Sequence, residues 1–189
     1  MTDFDPRAYG PAFTPLLDID RCRALDDGSP AAGSRAALAA LSIPAAFGPA
    51  VVGDQDHAHC CLSGLWLLHD FLDESHTISQ GVSHPSGSFW HGIMHRREGD
   101  FSNAKYWFRR VGDHPAYPAI AAAAGEFADG GAEQSLAGQL AGGGDWDPLA
   151  FVDACQAAVR RGELADYCRR VQQAEWEILW DHCYRAATG

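Results

Sequence analysis

Leu62, Leu65, Leu68 and Leu72 recur at the spacing that lines one face of a helix, while strand-like alternation of apolar and polar residues is nearly absent from the chain. A helical period without a strand period restricts the chain to an all-α fold: an irregular, single-domain helical bundle of roughly seven to nine helices. With 189 residues, 47% of them apolar, there is material for one sizeable core.

The first stretch reads differently. Pro6, Gly10, Pro11, Pro15, Gly28, Pro30, Gly33, Pro44, Gly48 and Pro49 leave room only for short helices, such as Ile19 to Leu25 and Ser34 to Leu41. Residues 1–50 are therefore expected to be an irregular segment wrapped around a helical core domain of residues 51–189. In that core the leucine helix is expected from about Asp56 to Asp73, capped by Asp54 or Asp56. Ser86 or Ser88 opens the next, through Trp90 to about Glu98, where Gly99 breaks it. Asp100 or Ser102 starts a helix that ends at Gly112. Further helices follow at Ala116 to Phe127, near Leu136, from Asp147-Pro148 to Gly162, and from Glu163 to about Ala186.

A net charge of −11 repels nucleic acid and anionic membrane, so neither is an expected partner. No stretch approaches the ~20 apolar residues of a membrane span. Met1 to Pro6 is acidic and lacks the basic and apolar regions of a signal peptide, so a cytoplasmic location is expected. The six cysteines form no CxxC pair and read as buried free thiols.

Histidine is concentrated: seven of nine lie between His57 and His95. His91, His95 and Glu98 stand at i, i+4 and i+7, one helical face, and two imidazoles with a carboxylate can hold a divalent transition metal. His69, Asp73 and His76 repeat those offsets, provided the leucine helix reaches that far. Two such triplets on neighbouring helices would build a site in the way helical bundles do. The spacing is not that of the HExxH zinc proteases. Buried structural histidines and a solvated helix end explain the same residues without a metal.

From His91 to Arg110 there are five cations (Arg96, Arg97, Lys105, Arg109, Arg110) against two anions (Glu98, Asp100), a net of +3 in an acidic chain. Such an island attracts an anionic small molecule, unless its arginines are paired with acids elsewhere. Trp90, Tyr106, Trp107 and Asn103 supply the aromatic walls and polar groups of a small-molecule pocket, or equally a helical core.

The block from Trp90 to Trp107, WHGIMHRREGDFSNAKYW, resembles a segment of a family of uncharacterised bacterial and fungal proteins, and Glu175 to Tyr184, EWEILWDHCY, is similar to their C-terminal end. That resemblance implies no particular activity. Gly99 to Gly112 also resembles one helix of a tetratricopeptide-like repeat, which implies a packing or interface role; a single unit cannot make a solenoid.

The expectation drawn from these features is a small-molecule enzyme acting on an anionic substrate, with a pocket between the His69 and His91 helices. His69, Glu74, His76, His91 and His95 are its candidate catalytic residues. Arg96, Arg97, Asn103, Trp90, Tyr106 and Arg109 are candidate substrate contacts, and His91, His95 and Glu98 candidate ligands of a divalent transition metal. The alternative is a non-catalytic ligand-binding or protein-interaction domain. A helical scaffold that assembles as a homo-oligomer is a third reading, which a contiguous apolar surface patch would favour.

Overall fold

In a computed structural model, residues 4–48 and 52–189 are described; Pro49 and Met1 to Asp3 of the sequence expectations lie outside them. Among the described residues there are eleven α-helices and no strand. They are α1 (Thr14–Leu17), α2 (Arg35–Ala39), α3 (Ile43–Phe47), α4 (Gln55–Leu68), α5 (Leu72–Gln80), α6 (Pro85–Glu98), α7 (Phe101–Val111), α8 (Tyr117–Glu126), α9 (Gly131–Leu140), α10 (Pro148–Arg161) and α11 (Ala165–Thr188). The all-α, irregular bundle expected from the leucine spacing is what forms. The helix number exceeds seven to nine because the N-terminal segment makes three short helices and the leucine helix divides into α4 and α5.

Helix α6 is the axis of the fold. Its twelve residues from Ser86 to Arg97 are all buried, as befits a helix packed on every side. α4, α5, α7 and α10 surround it, and the 24-residue α11 lies along α4. Trp176 and Trp180 of α11 donate their indole N–H groups to the carbonyls of Gly64 and Cys61, at 3.0 and 3.1 Å. Gly64 permits this approach: a Cβ there would stand 2.8 Å from both Trp180 and Trp90.

Local chemistry sets the helix ends. Asp54 caps α4, its carboxylate accepting from the His57 amide at 3.0 Å, and Asp100 and Asp147 cap α7 and α10 likewise. His84, rather than Ser86 or Ser88, caps α6, with Pro85 at the first helical position. Ile19 to Leu25 does not form the expected helix. The Asp20 carboxylate accepts from the Cys22 amide, and Arg21 donates to the carbonyls of Leu17 and Ile19, so side chains take the backbone groups a helix would use.

Five of the six cysteines are buried and all six are free thiols. No helix among the described residues is long and apolar enough to cross a membrane. Tyr106 and Val159 are the large hydrophobic side chains that are exposed.

Candidate metal centre

The leucine helix stops short of the expected Asp73. His69 ends α4, and Asp70 takes a left-handed backbone (φ +62°) that turns the chain into α5. The turn separates His69 from His76. His69 points into the core and bonds through Nε2 to the Leu16 carbonyl at 3.0 Å, and burial lowers its pKa. His76, one helix later, faces α6. The expected His69–Asp73–His76 face therefore does not exist, and Glu74 lies on another side of α5, paired with Arg35 at 2.6 Å.

The structure brings together His76, His91 and His95. One ring nitrogen from each lies within 4.8 Å of the others, the grouping among the described residues that could hold a metal ion. The ring centroids are 4.5 Å apart for His76–His91, 4.7 Å for His91–His95 and 5.3 Å for His76–His95. His91 and His95 are buried and His76 is half-buried.

The hydrogen bonds assign tautomers to two of these rings, taking the Ser79 hydroxyl as donor within its own helix and the Glu98 carboxylate as ionised. The Ser79 hydroxyl donates to the Ser75 carbonyl at 2.8 Å, so at 2.9 Å from His91 Nδ1 it accepts, and the proton of that ring sits on Nδ1. The Glu98 carboxylate can only accept, so His95 Nδ1, 2.9 Å from Glu98 Oε2, also carries its proton. Both Nε2 atoms keep their lone pairs. A ligating histidine generally has its other ring nitrogen tied to an outer acceptor in this manner. Glu98 is thus placed to orient a ligand rather than to be one; its side chain is 49% exposed. Burial, then the neighbouring His95 and His76, push the pKa of His91 down to about 3, so this ring is neutral at pH 7.

Asn103 and Trp107 of α7 close the remaining side. Asn103 donates from Nδ2 to His95 Nε2 at 3.0 Å, the lone pair a metal would take, and the Trp107 ring lies 4.1 Å from that of His91. Arg110 packs over Trp107, 5.1 Å from its centroid, and reaches the half-exposed Tyr106 hydroxyl at 3.3 Å.

The positive island resolves into two kinds of cation. Arg96 is fully buried and forks onto Glu175 of α11, at 3.2 Å and 2.5 Å, with Gln172 at 3.4 Å. Arg97 donates to Asp70 at 2.7 Å and to the carbonyls of Asp26 and Leu67. A charge with no water around it requires such partners, and both arginines are committed to the scaffold, not to a substrate. Lys105 pairs with Asp153. Arg109 and Arg110 are exposed, and neither forms an ion pair among the described residues. Trp90 is wholly buried between α4 and α11 and cannot wall a pocket.

Spacing pointed to His91 and His95 on one face, with Glu98; His76 entered only with His69 and Asp73, a grouping the structure does not form. Ser79 carried no signal, being one serine among many, and Arg110 was visible only as a charge. Compared with known proteins, the chain matches no family model, no curated protein and no solved structure.

Proposed function

We propose that the protein is a metal-dependent enzyme acting on a small anionic molecule, with His76, His91 and His95 as the ligands of a divalent transition metal. One observation carries the reading: Ser79 and Glu98 hold the protons of His91 and His95 on Nδ1, which leaves two Nε2 lone pairs beside a third imidazole. A metal with three protein ligands keeps a position for water and lowers the pKa of that water toward neutrality, which supplies a nucleophile for hydrolysis. With His95 Nε2 given to a metal, the Asn103 amide would be free to donate to a bound substrate. Arg110 holds the anionic group of the substrate against Trp107, while Arg109, the other candidate contact, lines a separate cavity beside His114.

Metal analysis after native purification, followed by melting curves with added zinc, manganese, iron and nickel, tests the proposal. The expected result is near-stoichiometric metal, or a rise in Tm with one of the four. Both are lost in His91→Ala and His95→Ala and kept in His69→Gln. A chain without metal, whose Tm ignores all four ions, overturns it. The alternative, a non-catalytic module that grips an anionic partner, draws on the unpaired Arg109 and Arg110. It predicts anion binding that survives His91→Ala.

A further inference from the structure

A second group of histidines lies outside the candidate metal centre, where the N-terminal ends of α4 and α6 meet the α7–α8 connection and the end of α11. His57, His84, His114 and His182 surround the buried Ser86 hydroxyl. The ring centroids are 4.3 Å apart for His57–His84, 5.0 Å for His114–His182 and 5.6 Å for His57–His182. His57 and His114 are buried beside Ser86, and His84 and His182 form a half-buried rim.

The polarity of this group follows from its bonds. The Ala116 amide donates to His114 Nδ1 at 3.1 Å, so the proton of that ring is on Nε2, which donates to Ser86 Oγ at 3.1 Å. With one lone pair of Oγ engaged there, the Ser86 proton is directed to His57 Nε2, 3.4 Å away. On the far side of that ring, Asp54 Oδ2 stands 2.9 Å from His57 Nδ1, near enough to orient the imidazole though not aligned as a hydrogen bond. Carboxylate, imidazole and hydroxyl are in series, the order that makes a serine nucleophilic, and the looseness of the bonds is usual before substrate arrives. Ser86 also sits in the first turn of the 14-residue α6, whose positive end favours an oxyanion.

We propose that Ser86 is an activated nucleophile, with His57 as its general base, Asp54 orienting His57, and His114 as the oxyanion donor, acting on small uncharged carboxylic esters. Ser86 Oγ forms a bond to the acyl carbon while its proton passes to His57 Nε2. The C–O bond to the alcohol breaks, and the departing alkoxide takes that proton. Water then attacks the acyl-serine, gives a proton to His57, and releases the acid as His57 returns that proton to Ser86. His114 is also a wall of a cavity of about 760 Å³, lined by Phe108, Tyr117 and Trp146 with Asp113, Asp145 and Asp147 at its edge. Three carboxylates against the one guanidinium of Arg109 disfavour an anionic ester, which separates this substrate class from the one proposed for the metal centre.

The test is labelling of the full chain with a fluorophosphonate, located by peptide mass mapping, together with hydrolysis of p-nitrophenyl acetate. One label on Ser86 is expected. Hydrolysis should fall by about 100-fold or more in His57→Gln and vanish in Ser86→Ala. Folded protein that takes no label, or takes it on another residue, overturns the proposal. So does hydrolysis that Ser86→Ala or His57→Gln leaves intact. Mapping on the unaltered chain decides the matter even where Ser86→Ala fails to fold.

Discussion

Arg97 donates from Nη2 to Asp70 Oδ1 at 2.7 Å, joining the middle of the fold to the one corner where a non-glycine residue leaves α4 with a positive φ. Arg23 holds the same carboxylate from the N-terminal segment. Burial pushes the Asp70 carboxyl up, but the Arg23 and Arg97 bonds outweigh it and hold the group below its ordinary range. This corner aims α5, and so His76, at α6. Asp70→Ala should cost about 3–5 kcal/mol, because it leaves Arg97 as a buried charge without its counter-charge. The corresponding fall in Tm is on the order of 10 °C for a chain of this size. Denaturant and thermal melts check both, and a variant within about 0.5 kcal/mol of the parent would show the pair to be dispensable.

Glu98 touches His95 but supplies no ligand atom to the trio. Glu98→Gln should therefore weaken metal binding by about 10–100-fold without abolishing it, the usual cost of losing an outer partner. Titration calorimetry with the metal identified above reads this directly. Complete loss would instead make Glu98 a ligand.

Two buried histidines contribute strongly to the response to acid. The pKa of His91 is pushed down to about 3 by burial, His95 and His76, and that of His114 to about 3 by burial, His182, His84 and His57. Both rings are neutral when folded, and in the unfolded chain they titrate near 6.5. The unfolded state thus binds more protons between these values. Stability is full above about pH 6.5 and falls as pH drops toward about 3, by up to about 1.4 kcal/mol per pH unit for each histidine. Urea melts at pH 7, 6 and 5 should show the decline, with a shallower slope in His114→Gln.

Gly64 lies where α4 meets Trp90 and Trp180. Gly64→Ala places a methyl group 2.8 Å from both indoles and should destabilise the fold by about 1–3 kcal/mol. An alanine variant as stable as the parent would mean that α11 can shift away from α4 at no cost.

Helix positions were readable because apolar period and caps are local: Asp54, Asp100, Asp147, Gly99 and Gly162 stand at the boundaries they mark. His91 and His95 were readable as a pair on one helical face. His69 misled because a helical period carries no notice of a left-handed residue, and Asp70 is one of the non-glycine types that adopt it. Arg96 and Arg97 read as substrate contacts because their partners, Glu175 and Asp70, are 79 and 27 residues away. The group around Ser86 joins Asp54 to His182, and no spacing rule spans that separation.

Helix α11 has a bearing on how the molecule comes into being. It carries Glu175, the counter-charge of Arg96, along with His182 and the two indoles that clamp α4. During synthesis, the polypeptide through Arg161 already contains the whole of α6 but nothing to neutralise the guanidinium at its centre. Arg96 gains this counter-charge only once α11 has been made, so closure of the interior waits on that helix.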